Sequence, residues 1–186
     1  MNMHLTHKKQ IFREKIFPVG NKLISFASAI LKNRQEAEDA VQEVFIKLWN
    51  KFEELNTIHN PEAYAMRVLK NHCLDRLKAK QLFSLPNNDA GTSQIDNDTP
   101  YNKIANEETG EVIQKLVDQL PALQRMVIQL HDVQQYTTEE TGKILQMAPN
   151  AVRVNLSRAR QTIRKNFNTY QVYEKRRIRS ASGKIL

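Results

Sequence analysis

The sequence predicts an all-α fold: two small helical domains joined by a flexible linker, the second containing a helix-turn-helix. Three observations carry this. Apolar residues recur at three- and four-residue steps in both halves of the 186-residue chain, and no segment alternates as a strand does. Residues 84–106, SLPNNDAGTSQIDNDTPYNKIAN, are rich in Asn, Asp, Ser, Thr, Gly and Pro and keep no apolar period, the composition of a linker. Towards the C-terminus two helical stretches are separated by about three residues, the second of them basic. The chain therefore divides into a domain at 1–83, a linker at 84–106, a domain at 107–168 and a basic tail at 169–186 that is expected to be flexible.

Each element has its own signal. Leu23, Phe26, Ala27, Ile30 and Leu31 form a first apolar stripe. Ala37, Val41, Val44, Phe45, Leu48 and Phe52 form a second, and Glu36, Glu38 and Asp39 crowd its start, where the helix dipole favours negative charge. Asn60-Pro61 reads as an N-cap followed by proline at the first helical position. Behind it Met66, Leu69, Cys73 and Leu77 make one stripe, with Arg67, Lys70, Asn71 and Lys78 on a different, polar side. In the second domain Leu120-Pro121 starts a helix carrying Leu123, Val127 and Leu130. Thr137-Thr138-Glu139-Glu140 has the form of a capping box and opens a helix that runs through Leu145. Gln146-Met147-Ala148 is the turn, and Pro149 opens the last helix, with Val152, Leu156 and Ile163 as its buried positions. The linker's 23 residues reach about 80 Å fully extended and average about 25–30 Å as a coil.

Charge is unevenly spread. The chain carries 28 Lys plus Arg against 20 Asp plus Glu, a net of +8, and its pI is near 9.6. Residues 107–150 hold seven acids and three bases, whereas 151–170 hold five bases and no acid. Such a switch inside one small domain points one face at an anion, and a polyanion bound by counterion release is the sharp form of that reading. A solvated basic helix is the plain alternative.

Several classes fall away. The longest apolar run is four residues, Ala63 to Met66, so no helix here spans a bilayer. The N-terminus carries Lys8, Lys9, Arg13, Glu14 and Lys15 without the apolar core of a signal peptide, and the chain is read as soluble and cytoplasmic. One cysteine, Cys73, forms no internal disulfide. Catalysis finds little support: the five histidines show no metal spacing beyond His4-x-x-His7, and there is no glycine-rich phosphate loop. His131 and Asp132 are sequence neighbours, expected to face apart on a helix. No cofactor and no metal are expected.

Two motifs then add a family. Glu36-Ala37-Glu38-Asp39-Ala40-Val41-Gln42-Glu43-Val44-Phe45, running on to Leu48-Trp49, is the first. Leu120-Pro121-Ala122-Leu123-Gln124-Arg125, then Thr138-Glu139-Glu140 and Ala151-Val152-Arg153-Val154-Asn155-Leu156-Ser157-Arg158-Ala159-Arg160, is the second. In this order, with a polar linker between, they resemble regions 2.2 and 4 of extracytoplasmic-function (ECF) sigma factors, the small two-domain sigma subunits of bacterial RNA polymerase.

The resemblance implies a role for each face. Asp39, Gln42 and Glu43 match positions that dock on the clamp helices of the polymerase β′ subunit. The helix from Pro61 to about Lys80 resembles regions 2.3 and 2.4, which capture and open the −10 element. Arg67 and Asn71 match that helix's arginine and asparagine, Lys70 and Lys78 (with Lys80) become phosphate contacts, and His59 lies in the preceding loop. Tyr64 either stacks on a base or packs in the core. The last helix resembles the −35 reader and offers Asn150, Arg153, Val154 and Ser157 to base edges, Arg153 by paired contacts to guanine. Arg158 and Arg160 are phosphate contacts or salt-bridge partners. Val154 and Asn155 replace the serine and basic residue common in the family, and Ala148 replaces a frequent capping serine, which bears on the −35 sequence read. The partners implied are core RNA polymerase, promoter DNA and an anti-sigma factor, with no membrane insertion. The rival reading is a stand-alone helix-turn-helix regulator of duplex DNA, which leaves the Asp39-Gln42-Glu43 surface without a task.

Overall fold

The computed structural model describes residues 8–10, 12–51, 58–83 and 109–182. In chain order these form a π-helical turn at Phe12–Ile16, a 3-10 turn at Phe17–Val19, and helices α1 (Gly20–Leu31), α2 (Arg34–Asn50), α3 (Pro61–Phe83), α4 (Thr109–Asp118) and α5 (Ala122–Ile128). A second π-helical turn, Gln129–Val133, prolongs α5, and α6 (Thr138–Leu145) and α7 (Pro149–Ser182) complete the chain. No strand occurs among the described residues. Phe52 and the linker at 84–106 lie outside them.

Local chemistry sets the helix ends. Lys32 stops α1 in the left-handed region, at φ 56°, and Asn33 then caps α2 by accepting from the Glu36 backbone N–H at 3.1 Å. The Asn60 side chain accepts from the Ala63 N–H at 2.9 Å and starts α3. Thr137 and Glu140 form the reciprocal capping box of α6. Gln146 ends α6 at φ 60°, a position where glycine is the usual occupant.

The turn between α6 and α7 needs a glycine one turn earlier. The Met147 N–H donates to the Gly142 carbonyl at 2.8 Å, and a Cβ on Gly142 would stand 2.8 Å from the Met147 carbonyl oxygen. Gly142→Ala must push backbone against backbone. The expected loss is about 1–3 kcal/mol, read from the urea unfolding midpoint.

The first lobe packs α1, α2 and α3 around Leu23, Phe26, Val44, Leu48, Met66 and Leu69, all buried. Phe12 sits edge-on to Phe45 at 5.8 Å and to Trp49 at 5.4 Å, pinning the N-terminal turn to α2. Cys73 is fully buried on α3, and that burial pushes its thiol up to about 12. In the second lobe Val127, Leu130, Ile144, Val152, Leu156 and Ala159 are buried. Leu123 is exposed in the first turn of α5, and the apolar side chain buried at this end of the core is Leu120.

Two expectations are corrected. The stretch after 168 is not a separate tail, because α7 continues to Ser182 and its Phe167 and Tyr170 pack on Val112 and Leu116 of α4. His131 and Asp132 do not face apart: their Nδ1 and Oδ1 lie 2.9 Å apart in the widened π-helical turn. Asp132 also takes two bonds from Arg160, at 2.5 and 3.0 Å. Burial pulls the Asp132 carboxyl upward, but its hydrogen bonds to Arg160 and His131 outweigh that and hold it below the ordinary carboxylate value.

The lobes also share a core. Buried residues of both belong to one contiguous apolar cluster, with α1 against α5 and α3 against α6. At the α1–α5 seam Arg125, 5% exposed, donates from Nε to the Ala29 carbonyl at 2.5 Å. Its Nη1 donates to the Asp118 and Leu120 carbonyls at 3.0 and 2.9 Å. One guanidinium thus satisfies carbonyls at the ends of α1 and α4, groups that lack partners inside their own helices.

Candidate nucleic-acid interface

On α2 the sequence places Asp39, Gln42 and Glu43 opposite an apolar face, and the structure keeps them there. All three are exposed, while Ala40, Val41 and Val44 are buried beneath. Glu43 is already engaged: it accepts from Arg76 Nη2 at 2.6 Å, and its other oxygen lies 3.0 Å from His72 Nε2. Arg76 also donates to the Glu36 carbonyl, and Lys80 pairs with the Glu36 carboxylate at 2.5 Å. The acidic face of α2 is therefore partly neutralised by α3. His72, half-buried, is held below its ordinary value by burial and by the Lys47 ammonium, which lies 2.9 Å from Nδ1. Beside Gln42 opens a cavity of about 460 Å³ whose walls include Phe17, Ile24, Val41 and Phe45. Phe17 is 64% exposed there, an apolar element that the sequence did not single out.

On α3 the expected −10 set divides. Arg67, Asn71 and Lys78 are exposed, as is His59 in the loop before the helix. Tyr64 is half-buried, with the Arg67 guanidinium 5.2 Å from its ring centre. His59, Tyr64 and Arg67 line a cavity of about 340 Å³, and Lys143 of α6 joins them. No local pattern singled out Lys143, because the packing of α6 on α3 brings it there. Lys70 departs from expectation. It is 6% exposed, not on an open polar side, and its Nζ donates to Gln146 Oε1 at 3.0 Å. Burial, and secondarily the Arg67 charge, lower its pKa. Its position flanks the stripe of Met66, Leu69 and Cys73, and α6 packs over that edge.

On α7 Asn150, Arg153, Val154 and Ser157 are all exposed near the helix start, with Arg158 beside them. Arg153 reaches Glu139 of α6 at 3.3 Å, a pair 60% exposed on both sides and worth little to stability. Asn155 turns inward and donates to the Ala151 carbonyl at 2.8 Å. Arg160 is committed to Asp132, and that hydrogen bond raises its pKa. The salt-bridge alternative therefore holds for Arg160. The result is a basic, open helix face seated on a capped helix and a tight turn, the geometry that presents a helix N-terminus to a major groove.

Comparison with known proteins identifies the two lobes. The Sigma-70 region 2 family model matches residues 18–83, and the Sigma-70, region 4 model matches 110–163, so well over half of the chain is accounted for. This chain belongs to the ECF sigma factors. It is similar to the ECF RNA polymerase sigma factor SigW of Bacillus subtilis, 28% identical over 154 residues, which cover 78% of this chain and 82% of that protein. Two solved structures share the fold. The sigma factor RpoE of Bartonella quintana, in complex with the anti-sigma factor NepR, matches with a TM-score of 0.66 at 20% identity, covering 84% of this chain and 96% of that one. CnrH, in complex with the cytosolic domain of CnrY, matches with a TM-score of 0.58 at 16% identity, covering 87% and 90%. An ECF sigma factor directs core RNA polymerase to chosen promoters. The region 2 match takes in α1, α2 and α3, and the region 4 match ends inside α7. No described helix is long and apolar enough to cross a membrane.

Proposed function

We propose that this ECF sigma factor joins core RNA polymerase through Asp39, Gln42 and Glu43 of α2. It opens the −10 element with the α3 side of its first domain and reads the −35 element with the start of α7. The domains carrying these roles are 1–83 and 107–168. The observation that carries the reading is the coexistence, on one chain, of an exposed acid-amide face on α2 and an exposed basic face on α7. A stand-alone regulator needs only the second. His59, Tyr64, Arg67, Asn71 and Lys78 are the −10 contacts, with Lys70 joining them once uncovered. Asn150, Arg153, Val154 and Ser157 face −35 base edges, and Arg158 a phosphate. The chain supplies no catalytic group; the polymerase holds the active site. Its partners are core polymerase, promoter DNA and an anti-sigma factor of the kind named with RpoE and CnrH.

The test is promoter-dependent transcription with purified chain and sigma-free core polymerase on promoters of the host. Discrete transcripts that vanish without the chain are expected; binding to core with no transcript from any promoter would count against initiation. In the same assay Arg153→Ala is expected to lower −35-dependent initiation about tenfold or more while core binding holds, since one bidentate arginine–guanine contact supplies about 1–3 kcal/mol. Equal losses in both would make Arg153 structural.

A further inference from the structure

Arg160 stands on the face of α7 proposed to read DNA, yet its guanidinium is occupied. Arg153, Ser157, Arg160 and Arg164 follow one another at steps of four, three and four residues, so they share one helix face, and all four are exposed. Val152, Leu156 and Ala159, each one residue before a member of that stripe, are buried on another side. Arg160 lies about 10 Å further along the axis than Arg153. Where the first turns of such a helix meet base edges, a side chain two turns on meets the phosphates at the wall of the groove. An arginine there adds affinity for every sequence alike.

The group that occupies Arg160 is Asp132, carried on the π-helical turn at the end of α5. Arg160 Nε donates to Oδ2 at 3.0 Å and Nη2 to Oδ1 at 2.5 Å, a two-point fork, and His131 Nδ1 stands 2.9 Å from the same Oδ1. The guanidinium fork that fits a carboxylate fits a phosphate equally well. The Arg160 side chain is 52% exposed, so the pair adds little to stability. What its geometry decides is where the guanidinium points. Arg153 is held more loosely, by one contact to Glu139 at 3.3 Å.

We propose that Asp132 is a positioning residue that limits sequence-independent DNA binding: it fills the Arg160 fork as a phosphate would and keeps it off the DNA backbone. This rests on the reading of α7 as the −35 helix. The helix then makes fewer phosphate contacts than its charge offers, and the polymerase supplies the general hold on the duplex.

The measurement is fluorescence anisotropy of the full-length chain, across a salt series, on two duplexes. One carries the −35 sequence mapped from the transcripts, and in the other that sequence is scrambled. Asp132→Ala is expected to tighten binding to both by about threefold or more at about 50 mM salt. It is also expected to steepen the slope of log affinity against log salt by about 0.9, the gain of one phosphate contact. Adding Arg160→Ala returns the slope to its native value, and Arg160→Ala alone leaves it nearly unchanged. Asp132→Asn keeps the volume and repeats the comparison should the alanine lower the unfolding midpoint. An unchanged slope in both Asp132 variants overturns the proposal. Weaker binding to both duplexes overturns it as well and makes the pair a brace for α7. So does a gain that survives in the double variant, because the acid's own charge is then its cause. Arg153→Ala tells these failures from failure of the underlying reading. If it erases the preference for the −35 duplex, α7 stands as the reader and only the restraint fails; if it changes nothing, the −35 reading itself fails.

Discussion

Asp39→Arg combined with Gln42→Arg is expected to lower affinity for core polymerase by about a hundredfold or more and to leave the unfolding midpoint where it is. Both side chains are exposed on α2. On the proposed docking of this face against a basic partner surface, replacing them sets cation against cation, and juxtaposed like charges cost several kcal/mol at an interface. Glu43 is the wrong place for this test alone. Its carboxylate joins Arg76 to the neighbourhood of His72 and Lys47, so Glu43→Lys crowds cations and weakens the α2–α3 contact as well as docking. The pair of variants separates the two effects: binding lost with stability kept for 39 and 42, both reduced for 43. Unchanged core binding by the double arginine variant, measured by co-elution or fluorescence anisotropy, would place the docking face elsewhere.

Arg125→Met is expected to destabilise the fold by about 3 kcal/mol, and Arg125→Lys by most of that. The guanidinium is buried and spends its donors on three backbone carbonyls from two helix ends and the turn after one of them. A charged donor's hydrogen bond is worth about 1.5–3 kcal/mol, and each acceptor left buried without a partner adds its own desolvation cost. Lysine keeps the charge but not the planar fork that reaches three oxygens in different directions. Urea unfolding gives the loss directly. A loss under about 0.5 kcal/mol in Met would show that the carbonyls find other donors.

Much of this architecture was legible because it is local. Asn60 and the Thr137–Glu140 box act within four residues of their own position, so pattern alone places those two helix starts; Asn33 caps α2 just as locally but was not singled out. Apolar stripes likewise give the core of each lobe. What escaped the pattern depends on partners far along the chain. Lys70 looks like a solvent-facing cation until Gln146, 76 residues away, closes over it. Lys143 joins the cavity lined by His59, Tyr64 and Arg67 by the same packing. Glu43 reads as free until Arg76 bridges to it. The His131–Asp132 contact fails the α-helical rule because the turn there is π-helical. Functional faces came from the two family motifs; periodicity supplied only which side of each helix was open.

Cys73 gives the first lobe a built-in clock. It is the chain's one cysteine, and its thiol is fully buried and pushed up to about 12. At neutral pH the buried thiol stays protonated and out of reach, so alkylating reagents meet almost no nucleophile while α3 is seated. The side chain becomes an ordinary thiol only when that helix leaves the core. Pulse alkylation therefore times the opening of α3 without any engineered probe, and comparing the rates with and without core polymerase measures how firmly holoenzyme formation clamps that helix.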